Sequence, residues 1–200
     1  MGSVGSDVAA PSRASLRRPW IVAGVAAVVV LVDQLTKSWA VDRLSPEGSP
    51  GIHVVGSLDL QIAFNRGMAF SRGQSAGPII ACVAILIVGA MVWFARSVED
   101  RLSLVLIGMV IGGALGNLSD RVFRAGDGFL GGRVVDWITV HWWPTFNVAD
   151  SGVVVGGIAL AIVLMRQPDP SGDGSGDSDA SATSSTGTGD PRDVPADGQV

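Results

Sequence analysis

Two aspartates, Asp136 and Asp150, bracket a short aromatic-rich segment that leads into a long apolar stretch of this 200-residue chain. Two carboxylates held within a few ångströms of each other cannot both be ionised, so such a pair shares one proton. One carboxylate can then act as a general base on a water molecule while the other polarises a carbonyl group. The pair is therefore a candidate site for the hydrolysis of a peptide bond.

Further polar residues gather at the ends of the apolar stretches, on the same side as this pair. A charged side chain near the middle of a membrane span costs about 2.5–3.5 kcal/mol on insertion scales, and ionisable residues inside a membrane are functional by default. Groups near the end of a span cost less, but a cluster of them still needs a reason. The cluster comprises Asp33, Lys37, Asn65, Arg66, Gly67, Asn117, Asp120, Arg121 and Asn147.

Several members of this cluster also have a purely structural interpretation. Asp33 and Lys37 have the spacing and the order of a helical salt bridge. Residues 65–67 have the composition of a turn. Asn147, followed three residues later by Asp150, matches a capping box, and capping does not exclude a second role for Asp150.

The other reactive side chains support no different hydrolytic chemistry. The sequence contains neither a G-x-S-x-G turn nor an H-E-x-x-H zinc motif, and its single cysteine excludes an internal disulfide. His53 and His141 are far apart in the sequence with no evident nucleophile, and we interpret them as lone surface residues. Cys82 lies inside an apolar stretch, where we expect it to pack. Asp120 and Arg121 have the alternative structural interpretation of a satisfied interfacial pair.

Four apolar stretches must position these groups. Read with a window of about 19 residues, they cover 20–40, 77–95, 102–118 and 148–165. At about 1.5 Å per residue each can cross a hydrocarbon core of about 30 Å, and backbone in lipid must be helical. The chain is 48% hydrophobic and 16% charged, against about 25% charged residues in soluble domains. The sequence therefore predicts an all-α membrane protein with four transmembrane helices.

Smaller patterns add detail to this architecture. Residues 57–64 alternate in polarity and predict a small β element on the membrane surface, in the first outer loop. The second outer loop holds Phe129, Trp137, Trp142 and Trp143, an aromatic belt expected at the level of the lipid headgroups. Glycines at every fourth position of the third and fourth stretches predict close helix packing.

Charge distribution predicts the domain boundaries and the topology. Residues 167–200 carry seven Asp and one Arg and are rich in Ser, Gly, Thr and Pro, so they are predicted to be a disordered acidic tail. Residues 20–166 form the predicted membrane domain, preceded by a cytoplasmic segment over 1–19. Arginines number six on each side, and the three before the first span favour cytoplasmic termini. No basic patch suggests nucleic-acid binding.

Four segments, taken in order, resemble those of the lipoprotein signal peptidases (signal peptidase II), the bacterial membrane aspartic proteases. They are DQLTK (33–37), NRGMAFS (65–71), GGALGNLSDR (112–121), and VVDW (134–137) with FNVAD (146–150). The likeness covers about residues 15–166. Any one segment is a weak signal, whereas all four in this order are highly specific.

The resemblance implies a four-helix fold in the bacterial plasma membrane, with cytoplasmic termini and an active site near the outer face. It implies that prolipoproteins carrying diacylglycerol on a cysteine are cut just before that cysteine by activated water, without metal, cofactor or covalent intermediate. Membrane lipid and globomycin-type inhibitors are the other implied partners, nucleic acid is not, and a monomer is expected. The implied catalytic residues are Asp136 and Asp150, and the implied substrate-binding or supporting residues are Asp33, Lys37, Asn65, Gly67, Asn117, Arg121 and Asn147.

Three alternatives make different predictions. A presenilin-like protease needs a Tyr-Asp pair, and the chain has no Tyr. A proton-coupled carrier predicts acidic residues at mid-span, broken helices and repeat symmetry. A membrane adaptor predicts that Asp136→Asn is silent, whereas the peptidase hypothesis predicts that Asp136→Asn and Asp150→Asn each abolish cleavage. It also predicts milder losses for Lys37→Ala and Asn65→Ala if these residues position the substrate.

Overall fold

Four helices form the frame of the structure. Within residues 13–45, 50–67, 76–126 and 128–166, which the computed structural model describes, four helices are long and apolar enough to cross a membrane. They are α1 (Arg13–Leu44), α2 (Gly77–Phe94), α3 (Arg101–Phe123) and α4 (Val148–Met165). The four predicted spans are confirmed. α1 and α3 continue past their predicted ends, and the added residues of α3 include Asp120, whose carboxylate pairs with Lys37 of α1.

Some predictions concern residues outside these ranges. The acidic tail over 167–200, most of the N-terminal segment over 1–19 and the second half of the NRGMAFS motif belong to this group.

α3 lies at the centre of the bundle and packs against the other three helices. A Cβ atom added at Gly112 would lie 2.7 Å from the Cβ of Val29 on α1, so the two backbones leave no space for a side chain there. The predicted close packing of the glycine-spaced helices is confirmed. At Gly116 an added Cβ would lie 2.7 Å from a carboxylate oxygen of Asp33. The same glycine stripe therefore also makes room for a buried carboxylate.

The described segments between α1 and α2 and between α3 and α4 form a four-stranded antiparallel sheet. Its strands are β1 (Ile52–Val55), β2 (Leu58–Asn65), β3 (Val134–Val140) and β4 (Trp143–Phe146), paired in the order β1-β2-β3-β4. β2 is the strand predicted over 57–64, but the sheet also takes two strands from the loop between α3 and α4. The prediction of a β element confined to the first loop is therefore incomplete. No sequence pattern predicts β3, because its sequence, VVDWITV, does not alternate in polarity.

The predicted aromatic belt divides in the structure. Phe129, Trp142 and Trp143 are exposed. Trp137 instead packs edge-on against Trp39 of α1, with ring centroids 5.6 Å apart. Trp137 thus packs β3 against α1, directly after Asp136 in the sequence.

Candidate active site

Neighbouring elements bring the two predicted aspartates to one cavity. Asp136 is the third residue of β3, and Asp150 lies in the first turn of α4. The pairing of β2 with β3 places Ala63 opposite Asp136 and brings Asn65 within reach of it. Both carboxylates line a cavity of about 320 Å³ whose walls come from β2, β3, α2, α3 and α4.

The Asp136 carboxylate is buried, with 3% of its residue surface exposed. Asn65 Nδ2 donates a hydrogen bond to its Oδ2 at 3.0 Å, and Asn147 Nδ2 donates to its Oδ1 at 2.7 Å. Burial, and then the nearby charge of Asp150, raises the pKa of Asp136 to about 6. Asp136 therefore keeps a proton at pH values where an exposed aspartate has lost it.

Asp150 is held by two donors and stays at the cavity wall. Asn117 Nδ2 donates to Asp150 Oδ1 at 2.7 Å, and the backbone N–H of Asn147 donates to Asp150 Oδ2 at 3.2 Å. In return Asn147 Oδ1 accepts a hydrogen bond from the backbone N–H of Asp150 at 2.9 Å. The predicted capping box is confirmed, and it coexists with the position of Asp150 at the cavity.

The orientation of the Asn117 amide is set from behind the cavity. Its Oδ1 accepts hydrogen bonds from Lys37 Nζ at 2.9 Å and from Asn147 Nδ2 at 3.1 Å. Because the oxygen is engaged there, the Nδ2 group must face Asp150. Lys37 therefore helps to orient the Asn117 amide, whose Nδ2 group donates to Asp150.

Gly67 sets the orientation of the Asn65 amide in the same way. The backbone N–H of Gly67 donates to Asn65 Oδ1 at 2.8 Å, which leaves Asn65 Nδ2 for Asp136. Gly67 has a φ of +87°, and an added Cβ would lie 2.7 Å from the backbone nitrogen of Gly77. Glycine is required here both by backbone conformation and by space.

Lys37 and Asp33 lie behind the cavity, where α1 meets α3. The fully buried Lys37 ammonium contacts Asp33 Oδ2 at 2.8 Å and Asp120 Oδ2 at 3.0 Å, in addition to Asn117. Asp33 Oδ1 accepts a hydrogen bond from the backbone N–H of Ala149 at 2.9 Å and so holds the start of α4. Neither side chain is part of the cavity wall. Both side chains therefore contact residues next to the two aspartates, Lys37 through Asn117 and Asp33 through Ala149.

Asp120 of α3 belongs to the same network of buried polar side chains as Lys37 and Asp33. The structural interpretation pairs Asp120 with Arg121, but the ion pairs of Asp120 are with Lys37 at 3.0 Å and with Arg124 at 2.7 Å. Its Oδ2 also accepts a hydrogen bond from the backbone N–H of Val135, directly before the first aspartate, at 3.1 Å. The spacing of Asp120 and Arg124 matches a helical ion pair and could have indicated this arrangement.

Arg121 faces the cavity from α3. Its residue is 6% exposed, and Nη1 has no hydrogen-bond partner within the part of the chain that the structure describes. The guanidinium is close enough to Asp136 and Asp150 to be attracted by their charges. A buried N–H donor at the wall of the cavity can bind an acceptor on a ligand.

The remaining reactive side chains lie away from this cavity. His53 and His141 are exposed, as predicted, but they are not isolated, because each lies 2.7 Å from a different oxygen of Asp59. Hydrogen bonds from His141 and His53 lower the pKa of Asp59. Cys82 lies within α2, as expected, but its side chain is exposed and does not pack against the other helices. Among the described residues, no group of three or more His, Cys, Asp or Glu side chains is placed to hold a metal ion.

The raised pKa of Asp136 predicts a pH-dependent stability. The folded protein keeps this proton up to about pH 6, whereas the unfolded chain loses it near the ordinary value of 3.8. The group therefore lowers the free energy of unfolding by about 3 kcal/mol as the pH rises through this interval. We expect the stability of the wild type to fall relative to that of Asp136→Asn between about pH 4 and pH 7, measured by unfolding in detergent. A difference that stays constant with pH would contradict the burial of an ionisable group at this position.

Comparison with known proteins identifies the family. The family model for signal peptidase (SPase) II matches residues 25–166. The lipoprotein signal peptidase of Rhodococcus jostii is 38% identical over 161 residues, 80% of this chain and 80% of that protein. The corresponding protein of Mycobacterium avium is 39% identical over 154 residues, 77% of this chain and 84% of that protein. This chain belongs to the signal peptidase II family.

The fold of this signal peptidase II family member agrees with that assignment. A bacterial membrane enzyme solved by the in meso method at 1.9 Å has a TM-score of 0.60 and 28% sequence identity, over 72% of this chain and 92% of the solved chain. A second such structure, at 2.3 Å, has a TM-score of 0.58. The resemblance of the four sequence segments is confirmed, and the chain is a bacterial membrane protein of a protease family. The matched region contains all nine predicted site residues.

Proposed function

We propose that this protein is an aspartic endopeptidase that removes the signal peptide from prolipoproteins carrying diacylglycerol on a cysteine. Cleavage occurs just before that cysteine. The observation that carries the proposal is the placement of Asp136 and Asp150 on one cavity, each held by asparagine amides, with the pKa of Asp136 raised to about 6. A carboxyl pair of this kind supports acid–base chemistry on a water molecule.

The proton shared by the pair resides on Asp136. Burial and the neighbouring charge of Asp150 favour the neutral form of Asp136. Both oxygens of Asp136 already accept hydrogen bonds from amides, so the O–H group of the protonated acid points to a different acceptor. In the substrate complex that acceptor is the oxygen of the scissile carbonyl.

Hydrolysis then proceeds in two steps. The Asp150 carboxylate takes a proton from water as the water oxygen attacks the carbonyl carbon, and Asp136 donates its proton to the carbonyl oxygen. The resulting diol collapses as the C–N bond breaks, and Asp150 returns its proton to the departing nitrogen of the lipidated cysteine. Asp136 recovers its own proton from the diol, so both carboxyl groups end as they began. No enzyme–substrate bond forms.

The other polar side chains at the cavity hold the peptide backbone and the pair. Arg121 Nη1, without a partner among the described residues, donates to a substrate carbonyl. The amides of Asn65, Asn117 and Asn147 fix the positions of the carboxylates before the substrate arrives. Donors fixed in advance cost no reorganisation during the reaction.

The apolar walls of the cavity suit a substrate that stays in the membrane. Ile80, Ile87 and Val154 line it from α2 and α4. Acyl chains and the signal helix remain among the spans while the peptide bond reaches the polar end, so binding remote from the reaction supplies positioning. We place this end at the outer face and the termini in the cytoplasm. The peptidase domain covers 20–166, with 1–19 and the acidic residues 167–200 as cytoplasmic extensions.

The carrier alternative fits this geometry poorly. It requires acidic residues at mid-span in broken helices. Asp136 lies in the sheet, and Asp150 lies in the first turn of α4, which runs unbroken from Val148 to Met165.

Analysis of the products tests the proposal. A diacylglyceryl-modified prolipoprotein is digested by the purified protein in water enriched in ¹⁸O. The masses of both fragments are then measured by mass spectrometry. We expect one ¹⁸O atom in the new carboxylate of the signal peptide and a second fragment that begins with the lipidated cysteine. Cleavage elsewhere, or a covalent adduct of peptide and protein that accumulates, would refute it.

Inhibition by a cyclic peptide of the globomycin kind is a further prediction. Because the cavity combines apolar walls with Arg121 Nη1, a donor without a partner among the described residues, we expect such a compound to bind there and to compete with the lipidated substrate. Arg121→Gln should weaken inhibition by about 10-fold or more, since a hydrogen bond to a charged group contributes about 1.5–3 kcal/mol. Arg43→Gln, an exposed change in α1, serves as the control. Undiminished inhibition of the Arg121 variant would contradict this placement.

A further inference from the structure

A second and larger cavity lies beside the C-terminal half of α2. It has a volume of about 1070 Å³ and is bounded by α1, α2 and α3. Its wall is apolar, with small side chains such as Ala23 and Ala27 on α1, and it shares no residue with the cavity that holds the two aspartates. We call it the α1–α2 groove.

The two cavities use opposite halves of α2. The α1–α2 groove takes Val88 and the residues that follow it, up to Arg96, whereas the aspartate cavity begins at Ile80. At a rise of about 1.5 Å per residue, Arg96 lies about 24 Å from Ile80 along the axis of α2. Arg96 is therefore near the membrane face opposite to the two aspartates.

The α1–α2 groove is long enough to hold a lipid acyl chain and has a cation, Arg96, at one end. From Pro19 to Gln34 its α1 wall is about 22 Å long, which exceeds the depth of about 15 Å of one lipid leaflet. Arg96 lines the end where α2 stops, at Phe94. A guanidinium there matches the phosphate of a lipid headgroup, and basic pockets between transmembrane helices bind anionic lipids.

We propose that the α1–α2 groove binds an anionic phospholipid, with its phosphate on Arg96 and an acyl chain along the small residues of α1. The lipid belongs to the leaflet opposite to the aspartate cavity, so it is a resident membrane lipid and not the acyl group of a bound substrate. It fills the space between α1 and α2, both of which pack mainly on α3. This assignment does not depend on the chemistry of the aspartate pair.

Native mass spectrometry of the detergent-purified full chain tests the proposal. The protein is incubated with equal amounts of phosphatidylglycerol and phosphatidylcholine that have identical acyl chains. We expect one retained lipid and a preference for phosphatidylglycerol of about fivefold, the factor that one arginine near an anionic lipid provides. Arg96→Gln should reduce that preference to nearly one. Arg166→Gln, an exposed arginine at the end of α4, should keep it.

Filling the groove supplies a second, independent readout. Ala27→Trp, or Ala23→Phe if the first variant folds poorly, should remove the retained lipid, because both alanines are exposed to the groove. Val28→Trp, exposed on α1 but outside the groove, should retain it. An unchanged preference in Arg96→Gln, or lipid retained in both filling variants, would overturn the proposal. Displacement of the lipid, one for one, by a diacylglyceryl-modified peptide would assign the groove to the substrate and overturn it equally.

Discussion

Asp136→Asn and Asp150→Asn are each expected to lower kcat/KM by at least about 10³-fold, within the range attributed to general acid–base catalysis. At position 136 the amide cannot give up the proton that polarises the carbonyl, and at position 150 it cannot take one from water. The side chains keep their shape, so folding should be nearly intact. The measurement is cleavage of a lipidated prolipoprotein, with folding checked by thermal unfolding of each variant.

Asp42→Asn is the matched control for these two variants. Asp42 is exposed near the end of α1 and lies outside the aspartate cavity, so its replacement should leave kcat/KM unchanged. Substantial turnover by either of the first two variants would show that the aspartate pair is not the catalytic centre.

Lys37→Ala should cause the largest loss of stability, about 3–5 kcal/mol in the free energy of unfolding. The reason is that Asp33 and Asp120 are both fully buried and would lose their shared cation, and removing one partner of a buried ion pair strands the other. Activity per folded molecule should fall mildly through the loss of the hydrogen bond to Asn117. Unfolding in detergent, combined with activity normalised to folded protein, separates the two effects.

Arg43→Ala provides the comparison for Lys37→Ala, because it removes an exposed cation from the same helix and should change stability by no more than about 0.5 kcal/mol. A double-mutant cycle of Lys37→Met with Asp120→Asn should give a coupling energy of about 0.5–3 kcal/mol. Additive effects, or a loss of activity without a loss of stability, would place Lys37 at the substrate and not in the support.

Hydropathy and motif spacing predict the helices and most of the site because both depend on residues close in sequence. Predominantly apolar stretches of 17 to 21 residues predict the four spans, because backbone surrounded by lipid must be helical. Asn147 and Asp150 are three residues apart, so their capping box is recognisable from local spacing alone. The family resemblance then adds roles for residues that no local pattern connects.

Contacts between distant segments account for what the sequence did not reveal. β2 pairs with β3 across about 70 residues, and β3 lacks the alternation that marks a half-buried strand. Lys37 matches an ordinary helical salt bridge with Asp33, and its bond to Asp120 exists because two helices meet. Asp120 stands next to Arg121 in sequence, but successive residues on a helix point in different directions.

Cleavage of matched substrates tests the central claim most directly. A prolipoprotein modified with diacylglycerol and its unlipidated twin are each incubated with purified wild type and with Asp136→Asn, and the products are resolved by gel shift. The aspartate pair acting on a membrane-anchored substrate predicts cleavage in one of the four reactions, that of the lipidated substrate with the wild type. Cleavage by the variant, or no cleavage of either substrate by folded wild type, would contradict it.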